Sequence, residues 1–317
     1  MGCVVVSIEP LNETITGHLK KSGIDIKVIG RPSDMMESLE NLQPEVLVCR
    51  DRDNIATIVE RCPSIKMLFT VEVGVEEMPF EKIIEKGIRL ANTRGIIADI
   101  MSNYAMSCIL CSASRLKESI CNQQKAYWKK YQCTDSLTGK TLLIVGAGRT
   151  GSMIAKKARN FGLRIIGVQR TSRKCGLFDQ IGTLNNLPEF LGQSDYIVCT
   201  IPLTPATQYL FSAYLFGKMK EDAVFINISR GGILNESDLI SALNNGRIKE
   251  AYLDVFSVEP LPVNHAFWSH PDIIVTPHQS GRLENYMEKA MDIFICNYHA
   301  YIEGVTMPNE VNLQQGY

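Results

Sequence analysis

Arg230, Glu259 and His278 stand in three separate segments whose residues suit anion and proton chemistry. Arg230 lies in Asn227-Ile228-Ser229-Arg230-Gly231-Gly232, just after the apolar run 224–228. A guanidinium fixed there can clamp a carboxylate through two hydrogen bonds and polarise the adjacent carbonyl. His278 lies in Thr276-Pro277-His278-Gln279-Ser280-Gly281, and imidazole is the side chain most easily poised to trade a proton near neutrality. Between them, Asp254-Val255-Phe256-Ser257-Val258-Glu259-Pro260-Leu261-Pro262 offers Glu259 as an acid that can fix the imidazole's tautomer and favour its charged form. Upstream, Gly146-Ala147-Gly148-Arg149-Thr150-Gly151 can hold the pyrophosphate of a dinucleotide. Dinucleotide, cation and acid-supported histidine together are what reversible hydride transfer to a 2-oxo acid needs.

A glycine-rich turn alone is a weak signal, and its context decides. This one follows the apolar run 141–145 directly and opens a helical pattern at 152–158, which is the strand–turn–helix setting of a dinucleotide fold. Gly146 permits the tight turn, Gly148 lets the backbone approach the pyrophosphate, and Gly151 lets helix and strand pack closely. An NAD site places an acid about 20 residues on, for the ribose 2′-hydroxyl. Here the stretch reads Gln169-Arg170-Thr171-Ser172-Arg173-Lys174, with no acid and with cations and hydroxyls suited to a 2′-phosphate. NADP is therefore preferred over NAD, with NAD still possible.

The elements that must position these residues read as an α/β protein. The first half carries short apolar runs at 4–8, 26–29, 46–49, 67–70 and 88–91, with helical segments such as 34–42 and 55–61 between them. Residues 99–124 contain no glycine or proline and predict one long helix. Six further strands follow at 141–145, 163–168, 196–200, 223–228, 250–255 and 273–276, as in a doubly wound parallel sheet. A last helical pattern at 283–302 returns the chain to the first domain. The expected division is a smaller, discontinuous flavodoxin-like substrate domain over 1–98 and 284–317, and a Rossmann domain over 99–283.

With 33 basic and 34 acidic residues among 317, the formal net charge is −1, which gives no reason to expect nucleic acid or an anionic membrane as partner. No apolar stretch approaches the roughly 20 residues of a membrane span, and no secretory signal is visible, so the cytoplasm is the expected compartment. The ten cysteines read as reduced, buried small hydrophobes. Cys108 and Cys111 form a C-x-x-C pair without a second pair, so no metal site is expected. His18, His265, His270 and His299 read as surface or packing residues without acid partners.

These segments, with Leu137-Thr138-Gly139-Lys140-Thr141, Ser194-Asp195-Tyr196, Pro202-Leu203-Thr204-Pro205 and Met219-Lys220, resemble the D-isomer-specific 2-hydroxyacid dehydrogenases. Within them the chain is most similar to the NADP-dependent glyoxylate/hydroxypyruvate reductases, from about residue 95 to 282. The resemblance implies that Arg230, Glu259 and His278 form the catalytic trio, with Arg230 and His278 meeting a small 2-oxo or 2-hydroxy acid. It also places Arg149 and Thr150 at the pyrophosphate and Arg170, Thr171 and Ser172 at the 2′-phosphate. Thr200, Pro202 and Thr207 would flank the adenosine half, and Asp254 would hold the carboxamide. Val73-Gly74 would offer backbone N–H groups to the substrate carboxylate. A homodimer through the Rossmann domains and an active site in the interdomain cleft, closing by hinge motion, are further implications.

Three residues depart from the family pattern. Glu72 replaces a small residue beside the carboxylate-binding loop, Asn103 replaces an acid, and Thr150 replaces isoleucine. Trp128 either reaches a neighbouring subunit or packs within its own. Two other readings share the fold: a dinucleotide-sensing protein like the transcriptional corepressors, and an NAD-dependent phosphoglycerate-type dehydrogenase.

Overall fold

Strands that read as unbroken apolar runs are covered on both faces, as parallel sheets flanked by helices require. The computed structural model describes residues 3–30, 33–50, 54–75, 77–130, 133–170 and 176–314. The chain divides into two units, 1–96 with 283–317, and 97–282.

The first unit runs β1 (Val5–Ser7), α1 (Glu13–Lys21), β2 (Ile26–Val28), α2 (Met35–Leu42), β3 (Val46–Cys49), α3 (Ile55–Arg61), β4 (Met67–Thr70), α4 (Phe80–Glu85) and β5 (Arg89–Ala91). Its sheet is parallel in the order β2-β1-β3-β4-β5. Successive side chains leave a strand on opposite faces. Val6, Leu47 and Leu68 accordingly enter one apolar core, while Val5, Val46, Val48 and Phe69 enter another with Phe294 and Met291. Those last two belong to the terminal helix at Tyr286–Ile302, so the chain's end completes its beginning.

The second unit opens with α5 (Ala98–Ala113) and α6 (Leu116–Gln124). The single helix expected over 99–124 is thus two. Arg115 takes a left-handed backbone, φ +53°, and the Ala113 carbonyl accepts from Asp135 N–H of the returning chain at 2.9 Å. The break has a packing cause as well. Ala105, Met106 and Ile109 of α5 are buried with Ile154, Ala155 and Ala158, whereas α6 buries none of its residues. Then come β6 (Thr141–Val145), α7 (Arg149–Arg159), β7 (Arg164–Val168), β8 (Gln180–Gly182), α8 (Leu187–Gln193), β9 (Tyr196–Cys199), α9 (Ala213–Phe216), β10 (Val224–Asn227), α10 (Glu236–Asn244), β11 (Glu250–Leu253) and β12 (Ile273–Val275); the terminal helix is α11.

Its seven-stranded parallel sheet has the order β12-β11-β10-β9-β6-β7-β8 and a fully buried interior. Six strands were expected. The seventh, β8, is a three-residue edge strand paired to β7 from Ile166 and Gln180 to Val168 and Gly182, too short and polar to show as an apolar run. The α/β class and the parallel doubly wound sheet are as the sequence predicts.

Candidate active site

Arg230 follows the carboxyl end of β10, where open α/β sheets bind ligands. Asn227, fully buried, shapes its loop: Oδ1 accepts from Ser229 N–H at 3.1 Å and Ser229 Oγ at 2.7 Å, and Nδ2 donates to the Arg230 carbonyl at 3.0 Å. Arg230 Nη1 donates to the Ser229 carbonyl at 2.9 Å. At Gly231 a Cβ would stand 1.9 Å from the Phe256 carbonyl carbon, so only glycine lets this loop lie against the loop that carries Glu259.

Glu259 and His278 meet there. Glu259 Oε2 lies 2.7 Å from His278 Nδ1, and Oε1 accepts from Phe256 N–H at 2.9 Å, which fixes the carboxylate from both sides. His278 has a left-handed backbone, φ +47°, a conformation costing roughly 1–2 kcal/mol outside glycine. Its N–H donates to the carbonyls of Asp254 (2.9 Å) and Thr276 (3.0 Å). The surrounding turn sustains that geometry, as backbone strain at functional sites requires.

Asp254, at the end of β11, is the centre of that turn. It is fully buried, and its carboxylate accepts from Gln279 N–H (2.9 Å), Ser280 N–H (2.8 Å) and Thr276 Oγ (2.5 Å). Since the Thr276 proton goes to Asp254, the Tyr104 hydroxyl, 2.5 Å from Thr276 Oγ, donates to it. Burial pushes the Tyr104 phenol up, so it stays a neutral donor. Sequence reasoning missed Tyr104 and Thr276; the signal available was a lone polar-tipped aromatic in an apolar helix.

The glycine turn fits a dinucleotide phosphate. Gly146 has φ +117°, and its N–H and that of Ala147 both donate to the Val168 carbonyl at 2.9 and 2.8 Å. That bond pair ties the turn to the end of β7, which Gln169 and Arg170 follow in the chain. A Cβ at Gly151 would stand 2.1 Å from the Gly146 carbonyl oxygen, whereas one at Gly148 would meet nothing within 4 Å. Helix and strand therefore close on each other at Gly151, and the exposed backbone at Gly148 leaves room for a ligand. Arg149 and Thr150 open α7. Thr171 and Ser172 lie outside the described residues.

Thr200 and Thr207 hold loops. Thr200 Oγ donates to the Gly146 carbonyl at 2.8 Å, bracing the glycine turn from β9. Thr207 Oγ donates to the Pro202 carbonyl at 2.8 Å and accepts from Thr204 N–H at 2.8 Å, closing the loop that exposes Pro202. Val73 and Gly74 lie past β4 of the first unit, where Asn92 Nδ2 donates to the Val73 carbonyl at 2.8 Å. Lys157 Nζ bonds Asp99 (2.7 Å) and Asn103 (2.5 Å), so Asp99 supplies the charge that Asn103 lacks.

Other expectations need correction. His18 and His265 do have acid partners, Asp292 at 2.9 Å and Glu236 at 3.4 Å. Carboxylate pairing alone thus does not set His278 apart from the other histidines. Cys49, Cys62, Cys108 and Cys199 are buried, but Cys121, Cys133 and Cys296 are exposed. Among the described residues no group of three or more His, Cys, Asp or Glu could hold a metal ion, and no helix is long and apolar enough to cross a membrane. Trp128 is 89% exposed, so it does not pack within its own chain.

The family model for the NAD binding domain of D-isomer specific 2-hydroxyacid dehydrogenases matches residues 106–280. A human glyoxylate reductase/hydroxypyruvate reductase is 35% identical over 256 residues, covering 79% of this chain and 78% of that one. A D-isomer specific 2-hydroxyacid dehydrogenase family protein from Aeromonas salmonicida superposes with a TM-score of 0.85 at 28% identity, covering 99% of this chain and all of that one. The fold is also that of an NADPH-dependent glyoxylate/hydroxypyruvate reductase from Sinorhizobium meliloti, solved with NADP and sulfate (TM-score 0.84, 24% identity, full coverage of both). The chain belongs to the D-isomer specific 2-hydroxyacid dehydrogenase family.

Proposed function

We propose that the protein is an NADP-preferring 2-oxo acid reductase acting on small substrates near glyoxylate and hydroxypyruvate. The observation that carries this reading is the 2.7 Å Glu259–His278 bond, held on the same sheet edge as the Arg230 loop. Glu259 engages Nδ1, which leaves Nε2 as the nitrogen that gives its proton to the carbonyl oxygen. Reduced nicotinamide supplies the hydride to the keto carbon. Arg230 holds the substrate carboxylate and draws charge from the adjacent carbonyl, and Glu259 stabilises the imidazolium before transfer. In the reverse direction neutral His278 takes the hydroxyl proton. Val73 and Gly74 add backbone N–H groups to the carboxylate.

Gly146, Gly148, Arg149, Thr150 and Gly151 would seat the pyrophosphate, with Arg170, Thr171 and Ser172 on the 2′-phosphate. Thr200, Pro202 and Thr207 would flank the adenosine half, and the turn organised by Asp254 would meet the carboxamide. The absence of an acid at Gln169 supports NADP over NAD. A homodimer is supported by Leu116, Ile120, Tyr127 and Trp128, all exposed on α6 and the segment after it, which has no core of its own.

Initial rates with NADPH and NADH, side by side against glyoxylate, hydroxypyruvate and pyruvate, test the reading. NADPH should lead by about tenfold or more, and Arg170→Ala should cut that lead while sparing NADH, since it removes a charge-assisted phosphate contact. NADPH binding without turnover of any oxo acid would favour the dinucleotide-sensing alternative.

A further inference from the structure

Helix α5 meets the turn that carries His278 on both sides of the histidine. Tyr104 Oη lies 2.5 Å from Thr276 Oγ, just before His278. Just after it, a Cβ at Gly281 would stand 2.9 Å from Cδ1 of Ile97, the residue that precedes the helix, so the turn lies against the start of α5. The helix is itself fixed. Ala105, Met106 and Ile109 are buried in one core with Ile154, Ala155 and Ala158 of α7, and the Tyr104 ring packs against that core.

The side-chain bonds lead in one direction, towards the histidine. The Cys108 thiol, one helical turn on, meets the Tyr104 phenol. The phenol donates to Thr276 Oγ, and the Thr276 proton goes to Asp254 Oδ1 at 2.5 Å. Burial pushes both phenol and thiol up, so this link stays neutral. Successive donors of this kind polarise one another, which makes each member matter to the next. The chain ends on the fully buried Asp254 carboxylate, which also accepts from Gln279 N–H at 2.9 Å and Ser280 N–H at 2.8 Å. The Asp254 carbonyl accepts from His278 N–H at 2.9 Å. One aspartate thus grips the histidine and the two residues after it. His278 holds its positive φ, +47°, only while its surroundings over-determine that conformation.

We infer that Tyr104 is a positioning residue for proton transfer: through Thr276 and Asp254 it fixes the turn that aims the His278 imidazole, and it acts on the chemical step rather than on binding. This rests on the proposed reductase reading. A merely structural Tyr104 would add stability and leave the rate per folded molecule unchanged.

The test is kcat and KM for hydroxypyruvate, with NADPH affinity, in the wild type, Tyr104→Phe, Thr276→Val, Thr276→Ser and the Tyr104→Phe/Thr276→Val double variant. Rates are taken per NADPH-binding molecule, so that a partly unfolded variant is not read as a slow one. Tyr104→Phe keeps the packed ring and removes only the hydroxyl. It should lower kcat and kcat/KM together by about 3- to 10-fold, the range of one neutral hydrogen bond, with KM and NADPH affinity within about twofold. Thr276→Val removes the donor to a carboxylate and should cost on the order of 10- to 100-fold. Thr276→Ser keeps the hydroxyl and should retain most of the rate. Because Tyr104 acts through Thr276, adding Tyr104→Phe to Thr276→Val should cost less than about twofold more. A Tyr104→Phe rate within about twofold of the wild type, or a loss confined to KM, would overturn this inference alone. So would equal losses in Thr276→Ser and Thr276→Val, which would assign the effect to packing instead of the hydroxyl. A wild type that reduces neither hydroxypyruvate nor glyoxylate would overturn the reductase reading and this inference with it.

Discussion

At the carboxyl edge of the seven-stranded sheet a carboxylate holds an imidazole, Glu259 on His278; at the carboxyl edge of the five-stranded sheet two carboxylates hold a guanidinium, Glu9 and Glu72 on Arg50. Both arrangements sit where strands end and loops begin, and both depend on bonds from neighbouring backbone. They differ in what their cation can do. An imidazole changes charge near neutrality, whereas a guanidinium does not. The first edge therefore suits proton transfer and the second suits fixed recognition. The difference also shows in accessibility: Glu9 is almost wholly buried, while His278 keeps about half of its side chain exposed.

That contrast can be broken at several points. Removing the cation proposed to hold the substrate should cost most, so Arg230→Ala should lower kcat/KM on the order of 100-fold or more while NADPH binds as before. An unchanged kcat/KM would take Arg230 out of the site. Glu259→Gln should lower activity about tenfold, because the imidazole loses the carboxylate that orients it through Nδ1. Arg89 and Glu310 sharpen the comparison, since they form a two-point pair at the amino end of β5, with bonds of 2.8 and 2.7 Å. The Arg89 guanidinium holds the Glu310 carboxyl below its ordinary value. Glu310→Gln should cost about 1 kcal/mol of stability near neutrality and no activity. Because the folded-state value is depressed, that contribution is present above the ordinary carboxyl range and is lost as pH falls through the depressed value. Unfolding curves for both proteins, followed from pH 7 down until the carboxyl is protonated, check it; a difference that does not shrink as pH falls would contradict the pair's role.

Much of this was legible in the sequence. Strands buried on both faces must be apolar throughout, so runs such as Val46-Leu47-Val48-Cys49 identify themselves. The glycine turn is equally local, because Gly146 needs its positive φ and Gly151 its close approach within one six-residue span. Glu259 was legible as an acid near a candidate histidine, but its pairing required two loops to be brought together at Gly231 and Phe256. The Tyr104–Thr276 bond joins residues 172 positions apart and has no local signature. The same holds for the partners of His18 and Arg50. The break at Arg115 escaped because no glycine or proline marks it; a change in what the helix can pack against does. Strand β8 escaped because three residues at a sheet edge carry no period.

The most direct measurement is the initial rate of NADPH oxidation with hydroxypyruvate by the wild type beside His278→Ala, with NADPH affinity determined for both. The wild type should turn over, and the variant should lose on the order of 100- to 10,000-fold in kcat/KM, the usual worth of a positioned general acid, while binding NADPH equally well. A variant that keeps its rate within a few-fold would contradict proton transfer by His278 and, with it, the assignment of that sheet edge to chemistry.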